Sequence, residues 1–177
     1  MTATTQAAFD DDLDYEIVDG QKEVKMAGAK HGRIGARLIF KLEAYLEQNP
    51  IGGVYISNTT FQIGANERMP DVSFVSAARF PEEGEPTGKW EIAPDIAVEV
   101  ISPTDIWDKV NEKVHEYFAA GVRQVWLISQ PKQQVMIYDS PTQIRVVTAD
   151  QELTSETLLP SFKCRVADLF QSQTTEL

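Results

Sequence analysis

The stretch PDIAVEVISPTDIWDKVNEKVHEY, residues 94–117, decides the fold. It reads as a strand, a Ser-Pro turn and a helix. In the strand, alternation places Ile96, Val98 and Val100 on one face, and Asp95, Ala97, Glu99 and Ile101 on the other. Glu99 is therefore an acid inside an otherwise apolar segment, where a carboxylate costs free energy unless something pairs with it. Either the second face of this strand is wet, or Glu99 has a partner there.

The helix carries its own start signal. Ser102 is placed to be the N-cap, Pro103 the first helical residue and Asp105 the acid three positions on. Ile106, Val110, Val114, Tyr117 and Phe118 form an apolar stripe at helical spacing. Lys113 lies along the edge of that stripe, and Lys109 sits one turn earlier on the same side; the functional reading is that Lys113 reaches back over the strand toward Glu99. A lysine so placed ordinarily snorkels, its stem packed and its amine in water. Gly121 ends the helix, and residues 122–129, VRQVWLIS, read as a central strand parallel to the one carrying Glu99.

Upstream, an acidic arm (residues 1–12) precedes a domain expected over residues 13–170, with a polar tail at 171–177. Asp19-Gly20 joins two short strands, residues 15–18 and 22–26, as a hairpin. Residues 28–49 form the first long helix, buried along Ile34, Leu38, Leu42, Tyr45 and Leu46. His31, near its start, reads as a packing or capping residue rather than a ligand. Strands follow at 54–58, 60–64 and 72–75, with a turn at 65–67 and Asp71 opening the third strand. Taken alone, Asp71 is a turn aspartate. Residues 80–88 form an acidic Pro/Gly loop. Beyond the central strand come a hairpin at 134–147, a short strand within 153–159 and a helical turn at 166–170.

The 177 residues suffice for a full core. A single cysteine, Cys164, leaves no disulfide framework and no cysteine zinc site. With only two histidines, His31 and His115, any metal would be held mainly by carboxylates, which favours magnesium, manganese or calcium. No apolar run is long enough to span a membrane and no signal-peptide core is present, so the expected location is the cytoplasm. The net charge of −11 argues against nonspecific electrostatic attraction to nucleic acid, although a metal-dependent site is itself acidic.

The markers come in the order Asp71, Glu99, Lys113, set on a helix, antiparallel strands, a strand, a helix and a strand. The chain in this respect resembles the PD-(D/E)XK nuclease superfamily and, within it, the Uma-type restriction endonuclease family. The resemblance is carried by Asp19-Gly20, the helix start at His31, Pro70-Asp71-Val72, residues 94–100, Ser102-Pro103, Lys113 with Tyr117, and residues 121–128. It implies an α+β, restriction endonuclease-like fold: a mixed sheet flanked by helices. It also implies hydrolysis of DNA phosphodiesters with magnesium or manganese. Asp71 and Glu99 match the two acids, the carbonyl of Val100 matches the backbone ligand, and a homodimer is the implied assembly.

One position departs from the pattern. The superfamily lysine stands two residues after the second acid, where this chain has Ile101. Lys113 is the expected replacement and Lys109 the reserve; Glu23 and Glu43 are conceivable further ligands. The competing reading is a non-catalytic interaction or structural domain on the same fold, favoured by Ile101 and the acidic charge. Hydrolysis of RNA or of a nucleotide is a weaker third. Basic residues around the Asp71–Glu99 cleft favour the nuclease, and an acidic rim favours the non-catalytic domain.

Overall fold

A computed structural model describes residues 14–25 and 28–171. Its elements begin with β1 (Tyr15–Val18), β2 (Gln21–Val24), α1 (Ala29–Leu46), β3 (Gly52–Ile56), β4 (Phe61–Ile63), β5 (Asn66–Arg68), β6 (Val72–Ser76) and β7 (Ile96–Ile101). They continue with α2 (Trp107–Ala119), β8 (Gln124–Ser129), β9 (Gln134–Ser140), β10 (Gln143–Thr148), β11 (Glu152–Ser155), β12 (Leu159–Arg165) and α3 (Val166–Phe170). The expected arm, Met26 at the end of the second expected strand, and residues 172–177 of the tail lie outside the described residues.

The central sheet runs β10-β9-β8-β7-β6-β3. β7 and β8 lie parallel in its middle, and every other pairing in it is antiparallel. A parallel pair needs a crossover, which α2 supplies. On one face, Ile96, Val98 and Val100 pack with Trp126 and Ile128 beneath Ile34, Leu38 and Leu42 of α1. On the other, Ala97, Val125 and Leu127 meet Val114 and Tyr117 of α2. The second face of the Glu99 strand is thus covered, not wet, and Glu99 is only 9% exposed. The architecture is the mixed α+β arrangement expected. No helix among the described residues is long and apolar enough to cross a membrane.

The turns behave as their residues require. Asp19 and Gly20 both take positive φ, the mirror-image turn that matches strand twist, and β1 and β2 pair as an antiparallel hairpin. At the far end of α2, Gly121 has φ +96°, Val122 N–H donates to Tyr117 O at 3.0 Å, and Gly121 N–H donates to Phe118 O at 3.0 Å. This is the paired closure expected of a glycine stop.

Three expectations need correction. α2 starts at Trp107, not Pro103. Asp105 Oδ2 accepts the Ser102 N–H at 2.7 Å and Ser102 Oγ meets Thr104 Oγ1 at 2.9 Å, so the polar side chains close a local turn instead of opening the helix. Ile106 consequently leaves the buried stripe and is 60% exposed. The turn expected at 65–67 is narrower, because Asn66–Arg68 is a strand, β5, paired with both β4 and β1. Finally, β12 was not anticipated; it pairs with β11 against α1's side of the core.

Candidate active site

β6 and β7 place the two acids. Their register pairs Val72 with Val98 and Ser73 with Ala97. One step further out, Asp71 comes opposite Glu99. Asp71 N–H donates to Val98 O at 2.9 Å, and Val100 N–H donates to Asp71 Oδ2 at 2.8 Å. Since the N–H and C=O of a strand residue point to the same neighbour, the Val100 carbonyl also opens toward the Asp71 side.

Both carboxylates are occupied by cations of the chain. Lys113, from α2, stands 2.9 Å from Glu99 Oε1, and the Tyr117 hydroxyl donates to the same oxygen at 2.5 Å. Asp71 has Lys25 Nζ 2.8 Å from Oδ1 and His31 Nε2 2.7 Å from Oδ2. Lys25 also donates to the Met69 carbonyl. These Asp71 contacts are close but poorly directed, since His31 Nε2 and Asp71 Oδ1 have no well-angled hydrogen bond although both are buried. Asp71 Oδ1, buried and without a well-angled donor, already holds an ammonium at 2.8 Å, so the oxygen is one that favours a cation. Among the described residues no three His, Cys, Asp or Glu side chains converge as a metal cluster. The donor set on offer is therefore two carboxylates and one carbonyl, oxygen ligands that suit a hard divalent ion completing its shell with water.

The site opens into a cleft of about 490 Å³. Its walls include Lys109, which is exposed and pairs with no carboxylate among the described residues, so Lys113 rather than Lys109 reaches Glu99. Glu23 lines the cleft from β2, whereas Glu43 sits exposed on α1, away from it. The walls carry the carboxylates of Glu16, Asp19, Glu23, Asp71, Glu99, Asp105 and Glu112 against the cations of Lys25, Arg68, Lys109 and Lys113 and the imidazole of His31. The lining is acidic.

Three groups were not read from the sequence as part of this site: Glu16, Lys25 and Arg68. Glu16 accepts the Met69 N–H at 2.8 Å, meets Arg68 at 3.1 Å and Lys113 at 3.2 Å. His31, expected as a packing or capping residue, stands with Nε2 2.7 Å from Asp71 Oδ2. No local signal marks those three: alternation in residues 15–18 puts Glu16 on the face opposite Tyr15 and Ile17.

The ionic contacts set the protonation states. Burial alone would push the Asp71 carboxyl up, but the contacts from His31 and Lys25 reverse this and hold it well below the usual carboxylate range. His31 is raised above its ordinary 6.5, chiefly by the Asp71 carboxylate. Burial pulls the Lys113 ammonium down, but Glu99 and Glu16 more than offset it, so Lys113 stays charged at neutral pH. These signs define a window for the metal-free protein. The Asp71 contribution is complete above its ordinary 3.8 and fades only as acid titrates the depressed folded-state group. The His31 contribution is complete below 6.5 and is lost as pH rises through the raised folded-state value. In chelator, the melting temperature should fall as pH rises above 6.5, and His31→Gln should flatten that fall. An equal slope in both proteins would exclude His31 as its source.

A family model described as "Uma2: Putative restriction endonuclease" matches residues 3–167. A solved structure, described as a "putative nuclease belonging to DUF820" from Anabaena variabilis ATCC 29413, superposes with a TM-score of 0.77 at 24% identity. The alignment covers 88% of this chain and 89% of that one. No curated protein matches the chain.

Proposed function

This chain belongs to the Uma2 family, and we propose that its cleft hydrolyses DNA phosphodiester bonds in the cytoplasm with magnesium or manganese. Asp71, Glu99 and the Val100 carbonyl would hold the metal. The observation that carries the reading is the convergence of three groups from separate elements. Asp71, just before β6, and Glu99, in the paired strand β7, line one cleft, and Lys113 arrives from α2 to within 2.9 Å of Glu99. The ammonium lost at Ile101 is thereby replaced at the same carboxylate.

A bound divalent ion supplies Lewis-acid polarisation of water and of the phosphate. The chain does the rest. Lys113 stays protonated, so it acts as a fixed positive charge beside the attacked phosphate and not as a base. Tyr117 holds the Glu99 carboxylate by its hydroxyl and keeps it from rotating away. Val100 N–H does the same for Asp71. Removing the backing donor of a metal-holding carboxylate ordinarily weakens such a site by roughly 10–100-fold.

The acidic lining bears directly on how DNA would bind. Without metal the cleft repels a phosphate backbone; divalent charge at Asp71 and Glu99 reverses the local sign. DNA affinity should therefore be gated by metal. Anisotropy with a labelled duplex is expected to show at least about tenfold tighter binding in calcium than in chelator, and magnesium or manganese should support plasmid nicking. Calorimetry that finds no metal binding at millimolar magnesium or manganese would overturn the reading. The acidic walls also favour a second reading, the non-catalytic interaction domain. Metal binding without any nicking, on plasmid or on single-stranded DNA and RNA, would select it. A homodimer, two sites for two strands, goes with the nuclease reading and is checked by sedimentation.

A further inference from the structure

Glu16 has no part in the carboxylate pair that would hold the metal, yet it is buried at the cleft wall with both oxygens toward Lys113, at 3.2 and 3.4 Å. We propose that Glu16 is a positioning residue for Lys113, so that the N-terminal hairpin completes the active site. The proposal rests on the nuclease reading above.

The argument starts from the stem of the lysine. Lys113 hangs from α2 on four methylenes, and an ammonium on such a stem samples many rotamers unless two directions are fixed. Glu99 fixes one of them at 2.9 Å and Glu16 the other. Glu99 is also a proposed metal ligand, and a carboxylate drawn to a divalent ion is a weaker partner for an ammonium. Glu16 is then the anion left to hold Lys113 in place.

Two features oppose a purely structural role. Arg68, the other cation on Glu16, is already engaged by Glu116 through Nε at 3.1 Å and Nη2 at 2.5 Å, so it does not depend on Glu16 for a counterion. Meanwhile Glu16 Oε1 accepts the N–H of Met69, two residues before Asp71. One side chain thus links the lysine of α2 to the segment that carries the first acid. Glu16 sets the distance between the two halves of the site.

The test is a double-mutant cycle on the full chain with magnesium and a plasmid substrate. Glu16→Gln keeps the shape and an acceptor for Met69 but removes the charge. It should lower kcat by about 10–100-fold with KM and magnesium affinity within twofold of wild type. In a Lys113→Met background the same change should have no further effect on kcat, while its effect on melting temperature shrinks to the part that comes from Arg68. Multiplying losses in the double mutant, or wild-type kcat in Glu16→Gln, would overturn the proposal. Should Glu16→Gln not fold, Glu16→Asp, which keeps the charge for Arg68 and shortens the reach to Lys113, runs the same cycle. If the wild type does not nick DNA, the nuclease reading fails by itself. The Glu16–Lys113 link is then read from melting temperatures alone: non-additive shifts support it and additive shifts overturn it.

Discussion

Asp71→Asn is expected to abolish measurable magnesium binding and to cut nicking by at least about a thousandfold, while costing only about 2 kcal/mol of stability. The kinetic figure follows from the proposed chemistry. Charge stabilisation by a metal on a phosphate is worth several kcal/mol, and about 4 kcal/mol corresponds to roughly a thousandfold in rate. Asparagine is nearly isosteric and its carbonyl can still accept the Val100 N–H, so the strand edge should hold. What it lacks is charge, and a neutral amide oxygen is a poor anchor for a divalent ion in an acidic cleft. The stability cost arises because Lys25 and His31 lose their counterion. Stripping one partner from a fully buried pair costs about 3–5 kcal/mol, but Lys25 and His31 keep 17% and 21% of their side-chain surface in water, and the imidazole can shed its proton. The smaller figure therefore applies, and a protein with roughly 5–15 kcal/mol in hand stays folded. Circular dichroism, calorimetry and nicking on the same sample separate the effects. Magnesium affinity within twofold of wild type would remove Asp71 from the ligand set.

Much of this site was legible in the sequence, for a physical reason. Strand alternation and helical spacing are local, so Glu99 on an inward face and Lys113 on the edge of α2 could be placed from residues a few positions away. Asp71 needed the order of elements as well, since nothing local distinguishes it from a turn aspartate. The features that could not be read are those made by distant partners. Glu16 meets Arg68 across 52 positions and Lys113 across 97, and no periodicity records such a pairing. His31 was underrated for the same reason: its partner, Asp71, arrives from a different layer. The start of α2 failed differently. The Ser102–Asp105 signal is real and its hydrogen bond forms, but a four-residue turn satisfies it as well as a helix does. That shift exposes Ile106 and leaves Lys113 in place, because the helix register downstream is set by Val114 and Tyr117 in the core.

A stability effect as large as that of emptying a core aromatic position should come from Arg68. Its guanidinium joins three elements: it sits on β5, meets Glu16 of β1 at 3.1 Å, and forks onto Glu116 of α2. Its side chain is 10% exposed, as against 9% for Glu16 and 21% for Glu116. Arg68→Met fills the volume but leaves two carboxylates facing each other with too little positive charge. Removing one partner of a buried ionic network costs about 3–5 kcal/mol, which for a chain of this length is roughly 6–20 °C in melting temperature. The pH dependence distinguishes this cause from lost packing. Burial pushes Glu16 up, but Lys113, the Met69 N–H and Arg68 outweigh it and hold the group below its ordinary 4.5. Its contribution is therefore complete above 4.5 and lost as pH falls through the depressed folded-state value. The deficit of Arg68→Met should accordingly be largest near neutral pH and shrink in acid, where the abandoned Glu16 carboxylate takes up a proton. A lost packing contact would give the same deficit at both ends. Replacing Glu116 as well, in Arg68→Met with Glu116→Leu, should recover part of the neutral-pH loss, because one of the two stranded charges is gone. Failure to recover any of it, with a pH-independent deficit, would show that Arg68 holds the hairpin to α2 by its methylene stem and not by its charge.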